Sequence, residues 1–457
     1  MKRGVLIIVA VVFLILFGVV AFLIARGGKK STTSKPVLSV WAPFDEKKAY
    51  EEISKGFFLN RQDTEFEFRH IQAKDAKDYE AKVVDAIASG AGPDIWLTRT
   101  DWLPKHEAKL LSAPDTLEWP VEQKVNKADI LKTFLGEKIL AQNSRSGRLY
   151  GLPLSVDSLA LYINSNVVSQ VTTELGEASD PQEVVFEAPP KTWAELETWN
   201  KLITRRNGNG FSRSGIALGT VDNTYAPVDV YLALLQQRGG NLYDETGKEV
   251  ALHLTADAQA PAREALDYFA AYSNPNNPSY SWNTAAGDPV KRFTENKLGM
   301  MIGFSSLRLD IYSADRNFTN YTIAPLPQIK DPKLPTESRT DYAAYWTHVV
   351  SKTSDLPQLA WEYLQYLTEE SVQGSYNRLT LKPTLDMVDG NGESTDSEVM
   401  PSPQQFATQV ANAKGAYKPE WQFVDETLQT MLRAVTVSGE AAQVAVDSAA
   451  AKLKAGQ

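Results

Sequence analysis

The sequence of 457 residues contains no cysteine. This absence excludes disulfides, thiolate metal ligands, a thiol nucleophile and a lipid-modified N-terminal cysteine. The four histidines, His70, His106, His253 and His348, are scattered without the spacing of a metal site. The chain also lacks a G-x-S-x-G nucleophile elbow, an H-E-x-x-H helix and a phosphate-binding loop. We therefore expect no metal and no cofactor.

Basic side chains are scarce after the N-terminal segment. Residues 1–36 contain six lysines and arginines and no acid, whereas the rest of the chain carries 41 basic against 56 acidic side chains. A net negative charge of this size repels phosphate backbones. Nucleic acid is therefore not an expected partner.

Residues 4–25 are apolar or glycine and carry no charge. A helix of this length spans roughly 33 Å, close to the hydrocarbon thickness of a bilayer. A secretory signal core is shorter, about 7–15 residues. We predict an uncleaved transmembrane anchor over residues 1–25 and a flexible linker over 26–36, with cleavage near Ala21 or Gly27 as the alternative. Basic residues flank the span on both sides, so charge alone does not decide its orientation.

Apolar periodicity after the linker predicts an α/β architecture. The pattern alternates strands at 37–41, 65–69 and 94–97 with helices at 47–59 and 78–89. This order implies parallel strand pairing with helices on both faces of the sheet. Farther on, we expect helices at 193–205, 228–237 and 356–367 and two alanine-rich helices between 421 and 454. Extended segments are expected at 149–164, 298–302 and 322–327. Trp96, Trp193 and Trp361 are predicted to be core residues.

Seven local motifs follow one another in a fixed order. They are GPDI at 92–95 with KHEAKLLSAPD, LYGLP at 149–153 with LYIN at 161–164, PKTWAEL at 190–196, RGGN at 238–241, FTENKLGMMIG at 293–303, APLP at 324–327 and SKTSDLPQLAWEYLQYLT at 351–368. Each motif alone is weak, but together and in order they resemble the bacterial extracellular solute-binding proteins of ABC importers. The closest resemblance is to the maltose-binding-like, carbohydrate-type subgroup.

The resemblance implies a two-lobed periplasmic-binding-protein-like fold with a hinge, preceded by one N-terminal transmembrane helix. Lobe 1 would comprise residues 37–155 and 347–386, and lobe 2 would comprise 157–345 and 389–457. The chain would cross the hinge at 155–157, at 344–346 and near 382–384. The N-terminus would lie inside and the lobes outside the cell membrane. The resemblance further implies a receptor, not an enzyme, that closes on a small ligand, with a sugar expected, and delivers it to an ABC permease.

Candidate ligand contacts lie where predicted strands end, because ligands of open α/β sheets bind beyond the carboxyl ends of the strands. The register of the sugar-binding relatives matches Asp45, Asp101 and Asp157 to ligand-contacting carboxylates. A carboxylate offers up to four acceptor positions for sugar hydroxyls, and these charge-assisted bonds are strong. Simple solvation is the alternative explanation for each of these acids.

Aromatic side chains in loops or hinge crossings are the second group of candidates, because sugar rings stack on indole and phenol faces. No catalytic residue is expected. The complete predicted ligand site comprises Trp41, Phe44, Asp45, Asp101, Trp102, Asp157, Tyr225, Phe304, Ser305, Tyr345, Trp346 and Trp421.

The sequence departs from the sugar-binding relatives at three positions. Glu46 stands where a basic residue is expected beside the first carboxylate. Thr98 replaces an aromatic residue, with Trp102 four positions later, and Ser305 replaces a stacking tryptophan beside Phe304. These departures predict that the ligand is not the maltodextrin bound by the sugar-binding relatives.

Three alternatives remain. A polyamine or peptide receptor would also suit several carboxylates, and an envelope-anchored glycoside hydrolase would need two acids flanking one bond. The third alternative is a structural relative that has lost ligand binding.

Overall fold

The computed structural model describes residues 35–115, 117, 135–177, 186–208, 210–244, 247, 249–252, 260–329, 339–388 and 400–456. The expected anchor over residues 1–25 and most of the linker over 26–36 lie outside the described residues. Within the described part of the chain, none of the helices has the length and hydropathy needed to cross a membrane.

The first sheet is mixed, with the strand order β2-β1-β3-β14-β4 and with β7 also paired to β14. Strand β1 pairs in parallel with β2 and β3, as the alternating pattern predicted, whereas β14 runs antiparallel to β3. The strands are β1 (Val37–Ala42), β2 (Glu65–His70), β3 (Ile95–Arg99), β4 (Leu110–Leu111), β7 (Gly151–Leu152) and β14 (Trp346–Ser351).

The second sheet has the strand order β12-β8-β11-β10-β9. Strands β10 and β11 are parallel, and β8 runs antiparallel to both β11 and β12. The strands are β8 (Ala160–Asn164), β9 (Arg205–Asn207), β10 (Gly210–Ile216), β11 (Leu298–Gly303) and β12 (Tyr321–Pro325). Two short ribbons pair β5 (Ser144–Arg145) with β6 (Arg148–Leu149) and β13 (Asp341–Tyr342) with β15 (Ala413–Lys414).

Helices cover both sheets. In the described residues the α-helices are α1 (Lys47–Phe58), α2 (Ala76–Ala88), α3 (Leu103–His106), α4 (Glu137–Asn143), α5 (Ser165–Gly176), α6 (Trp193–Ile203), α7 (Pro227–Gln237), α8 (Pro261–Ala271), α9 (Pro289–Thr294), α10 (Leu307–Ala314), α11 (Pro357–Tyr366), α12 (Glu370–Thr380), α13 (Gln404–Val410), α14 (Trp421–Thr436) and α15 (Ala442–Ala455). The sequence explains where several helices begin. Thr192 and Glu195 form a capping box at α6, and proline occupies the first turn of α7, α8 and α11.

The apolar cores follow the two sheets. One pair of clusters lies around the first sheet and includes Trp96 and Trp361, and the other pair lies around the second sheet and includes Trp193. These three tryptophans are buried, as expected. The molecule therefore has two lobes, each a sheet with its own packed interior.

Extended segments of the chain run side by side between the two sheets. Ser155 forms a bridge with Thr384, and Ser158 forms a bridge with Ala343. The extended residues expected within 149–164 form three separate strands, β6, β7 and β8. Strand β7 belongs to the first sheet and β8 to the second, so the chain between them changes lobe.

Candidate functional site

The functional site is expected where the carboxyl ends of strands from both sheets meet. Strands β1 and β3 end together in the first lobe, and the antiparallel pairing of β14 brings Trp346 opposite Arg99 at that edge. In the second lobe, β11 ends at Gly303, opposite the start of β8. Phe304 and Ser305 follow directly.

One apolar cluster at this junction contains seven aromatic side chains: Trp41, Tyr79, Trp96, Trp102, Tyr150, Trp421 and the partly buried Trp346. Trp102 and Trp421 are stacked face to face, with ring centroids 4.3 Å apart and an interplanar angle of 9°. Trp346 meets Trp102 edge-on at 5.2 Å. Because α14 packs in the second lobe while Trp102 follows β3 of the first, the stack joins the two lobes.

A buried ion cluster lies next to this aromatic cluster. The Arg99 Nε donates to Asp101 Oδ1 at 2.9 Å, and the Lys418 Nζ lies 3.1 Å from Asp101 Oδ2. The same ammonium lies 2.8 Å from Asp425 Oδ1, and Arg99 Nη2 lies 3.8 Å from Asp229 Oδ1. The side chains of Asp101 and Lys418 are 1% and 2% exposed. These contacts connect β3 of the first lobe to α7 and α14 of the second.

The neighbouring charges set the protonation states in this cluster. Burial alone would raise the pKa of Asp101, but Arg99 and Lys418 outweigh burial and hold the pKa below its ordinary value. Burial would lower the pKa of Lys418, but the surrounding acids, Asp425 first, hold it well above its ordinary value. Burial raises the pKa of Asp425 in spite of Lys418. The carboxyl groups of Asp101, Asp229 and Asp425 thus surround two cations.

Asp157 lies at the crossing from the first lobe to the second. Its carboxylate accepts hydrogen bonds from the Ser305 hydroxyl at 2.6 Å, from the Ser305 backbone N–H at 3.0 Å and from the Ser158 backbone N–H at 2.9 Å. Burial raises the pKa of Asp157 to about 6 in spite of these bonds. Two predicted site residues, Asp157 and Ser305, are therefore direct partners.

Glu46, in the segment directly after β1, is held by a separate ion pair and a hydrogen bond. The Lys382 Nζ lies 2.6 Å from Glu46 Oε1, and the Tyr376 hydroxyl donates to Glu46 Oε2 at 2.5 Å. The same ammonium lies 3.5 Å from the centre of the Phe44 ring. The basic charge missing at position 46 is thus present, but it comes from a residue more than 300 positions later.

Four further predicted site residues belong to neither the aromatic cluster nor the ion cluster: Asp45, Tyr225, Phe304 and Tyr345. Asp45 is exposed, and Tyr225 is half-buried with its hydroxyl 2.8 Å from Ser306 Oγ. Phe304 is buried, and its carbonyl accepts from the Tyr162 hydroxyl. Tyr345 is buried in the core of the first lobe and accepts from Asn143 Nδ2 at 3.2 Å.

Sequence reasoning missed Lys418, Asp229 and Asp425. Asp229 lies in the first turn of α7 and Asp425 in the first two turns of α14, where acids are common for reasons unrelated to ligands. A lysine between a tyrosine and a proline carries no pattern of its own. Only the position of Lys418 three residues before a candidate tryptophan could have identified it.

The described residues contain no group of three potential metal ligands. What the site offers instead is a set of aromatic faces, hydroxyls and buried carboxylates from both lobes. Such a set can hold a polar ligand by stacking and by hydrogen bonds.

Comparisons with known proteins agree with this fold. Residues 44–374 match the family model of the bacterial extracellular solute-binding proteins. A putative binding protein of Brucella abortus (strain 2308) is 23% identical over 300 residues, which cover 65% of this chain and 63% of that protein. The chain thus spans somewhat less than two thirds of the length of that curated relative.

Two solved structures have the same fold. A solute-binding protein from Thermotoga lettingae, bound with alpha-D-tagatose, is similar with a TM-score of 0.66 and 18% identity, covering 92% of this chain and 99% of that one. A maltose-binding protein from Listeria monocytogenes, in complex with maltose, has a TM-score of 0.66 and 17% identity, covering 92% and 98%. At these identities the likeness concerns the fold.

Proposed function

Because the chain belongs to the bacterial extracellular solute-binding protein family, we propose that it is the binding receptor of an ABC importer for a sugar or oligosaccharide. The observation that carries this proposal is the Trp102–Trp421 stack beside buried carboxylates of both lobes. Indole faces stack on the C–H faces of sugar rings, and carboxylates accept from their hydroxyls. The sugar-bound structures of the same fold support this ligand class.

The proposed mechanism is binding by lobe closure, without chemistry. Opening the lobes separates the Trp102–Trp421 stack and exposes both indole faces. A sugar ring that enters between these indoles and contacts both lobes then favours a ligand-bound closed form in which the sugar takes the place of the direct stack, because a ligand shifts an equilibrium only by its preference for one state. The permease recognises the closed form. We propose that lobe 1 comprises residues 37–155 and 347–386 and that lobe 2 comprises residues 157–345 and 389–457.

The proposed contacts are the predicted set of twelve residues, extended by three. Asp101, Trp102, Trp346 and Trp421 lie at the centre of the junction, and Asp157 with Ser305 lies at the crossing. Lys418, Asp229 and Asp425 join the set because they share the buried ion cluster with Asp101.

We further propose that residues 4–25 form a transmembrane anchor with the N-terminus inside. Their length and hydropathy suit a bilayer, and an extracellular binding family requires the lobes outside. Protease added to intact cells should digest the lobes and leave the anchor protected. Release of an intact soluble receptor into the medium would contradict the anchor.

The binding proposal is tested by calorimetry of the full chain with tagatose, maltose and maltotetraose. We expect at least one sugar to bind, and the Trp421→Ala variant to bind it at least about tenfold more weakly, since a lost stacking hot spot costs about 2 kcal/mol. Phe423→Leu is the matched control, because Phe423 lies on the same helix with its ring against Gly456. The sugar should be recovered unchanged, and its hydrolysis would contradict a receptor.

The carboxyl groups of the ion cluster favour a polyamine as the second candidate. Spermidine would pair with Asp101, Asp229 and Asp425, so its affinity should fall steeply with added salt, whereas sugar binding should change little. Asp229→Asn should abolish spermidine binding and weaken sugar binding only moderately. Binding of spermidine and of none of the sugars would replace the first proposal with this one.

A further inference from the structure

A cavity of about 290 Å³ lies beside the lobe junction, and its lining includes neither Trp102 nor Trp421. Helix α4 and the β5 residue Arg145 form one wall, and residues 413–417 form the other. Thr100, at the end of β3, closes one side. This volume is close to the lower limit of ligand pockets, about 300 Å³, and far above the roughly 30 Å³ of one water.

The charged side chains that line this cavity are all cationic. They are Lys138, Arg145 and Lys414, and none of the described lining residues is acidic. Arg145 has no carboxylate at ion-pair distance among the described residues, and its guanidinium donates to the carbonyls of Ser144 and Thr100. Glu107 and Asp101 act on Arg145 only at longer range, so none of the described carboxylates pairs directly with this guanidinium.

Three buried polar atoms at the cavity have no hydrogen-bond partner among the described residues: Arg145 Nε, Thr100 Oγ1 and Gln142 Oε1. Thr100 and Gln142 are 3% and 8% exposed. Buried polar atoms of native proteins are almost always paired, so such a group points to an absent partner. The Nε needs an acceptor, the Oε1 needs a donor, and the hydroxyl can serve as either.

The apolar part of the wall consists of alanines and the Tyr417 ring, whose centre lies 5.8 Å from Arg145 Cζ. An organic ligand would rest on this surface better than a fully hydrated inorganic ion. The carboxylate of the adjacent Asp101 does not compete for these cations, because Arg99 and Lys418 already hold it.

We propose that this cavity binds a small hydroxylated carboxylate anion, separately from the ligand between the tryptophans. Its carboxylates pair with Arg145, Lys138 and Lys414, and its hydroxyl donates to Gln142 Oε1. This site does not depend on the sugar proposal.

The test is calorimetry of the full chain with citrate. We expect one site whose affinity falls with added salt. Tricarballylate, which has the same carboxylates without the hydroxyl, should bind several-fold more weakly, because Gln142 Oε1 then stays unpaired. Absence of citrate binding at concentrations up to about 10 mM, where a dissociation constant corresponds to about 2.7 kcal/mol of binding free energy, would overturn the proposal.

Two variants locate the site. Arg145→Gln should weaken citrate binding at least about tenfold, and Lys414→Gln, at an exposed position, should weaken it less. Arg148→Gln is the matched control, because it removes a positive charge from the exposed partner strand β6 outside the cavity. Unchanged affinity in both cavity variants would contradict the site.

Discussion

At the scale of single residues, the charges at the lobe junction compensate one another across long distances in sequence. Glu46 occupies a position where the sugar-binding relatives have a basic residue, and Lys382, which is distant in sequence but in contact with Glu46, supplies that charge. Asp101 follows its strand as expected, but Lys418 and Arg99 neutralise it. The sequence could identify Asp101 from its position after a strand. It could not identify Lys418, because no local pattern marks a residue that is defined by contacts 317 positions away.

Replacing Lys418 tests how much this charge compensation contributes to the stability of the fold. We expect Lys418→Met to lower the free energy of unfolding by about 3–5 kcal/mol, because it leaves the carboxylates of Asp101 and Asp425 buried without their shared cation. Urea denaturation measures the change. Lys414→Met, at an exposed position on β15, is the matched control and should change stability by less than about 0.5 kcal/mol. Equal losses in the two variants would contradict the role of the ion cluster.

Asp157 is expected to make stability depend on pH. Because burial raises its pKa to about 6, the folded chain holds this proton between about pH 4 and 6, where the unfolded chain has released it. The folded state binds more protons in that window, so the contribution of Asp157 to stability falls as the pH rises and is smallest above pH 6.

Asp157→Asn removes this titration. The melting temperature of the wild-type chain, measured relative to this variant, should therefore decline from pH 4 to pH 7. Asp63→Asn, at an exposed turn, is the control and should run parallel to the wild type. A constant difference between the wild type and Asp157→Asn across this range would show that the pKa of Asp157 is not raised.

At the scale of elements, most of the helices and strands that the sequence predicted lie within one to three positions of the observed ones, but several helices, including α5, α8 and α12, were not predicted. The strand expected at 65–69 extends to His70, and the helix expected at 228–237 begins one residue earlier at Pro227. These elements carry strong local patterns: alternation, an amphipathic face, a capping residue or a proline in the first turn. The segment 149–164 was expected to be extended and to contain a lobe crossing at 155–157. Its apolar residues belong to strands of two different sheets, and hydrophobicity alone did not show the breaks between β6, β7 and β8.

The capping box of α6 is a local pattern whose energy can be measured. The Thr192 hydroxyl accepts from the Glu195 N–H at 3.2 Å, and the Glu195 carboxylate accepts from the Thr192 N–H at 3.1 Å. Thr192→Ala should lower the free energy of unfolding by about 1 kcal/mol. Thr198→Ala on the exposed middle of the same helix should be neutral or slightly stabilising, since alanine is the better helix former there. A loss in Thr198→Ala as large as in Thr192→Ala would argue against the cap.

At the scale of the whole molecule, the contacts between the lobes are of two physical kinds. The tryptophan stack is apolar and insensitive to salt, whereas the exposed pair of Lys77 and Glu426 at 3.9 Å is worth little in water. The Gln422 amide of α14 also donates to the Glu80 carboxylate of α2. The described structure therefore joins its lobes through Trp102, Trp421, the buried ion cluster and this hydrogen bond. The lobe arrangement followed from the order of the family motifs, but the contacts that close it came only from the structure.

The absence of cysteine makes these interlobe contacts accessible to distance measurements. Spin labels attached to Lys77→Cys and Glu426→Cys report on the two sides of the junction, because these side chains face each other across it and the chain has no other cysteine. In the ligand-free chain we expect a short label–label distance by pulsed electron resonance.

Adding Trp421→Ala should lengthen and broaden this distance, because the variant loses the stack that joins the lobes, while the ion cluster alone allows more opening. Phe423→Leu should leave the distance unchanged, since its ring packs within the second lobe. The same short distance in Trp421→Ala would mean that the stack does not hold the lobes together, and that the ion cluster around Lys418 suffices to close them.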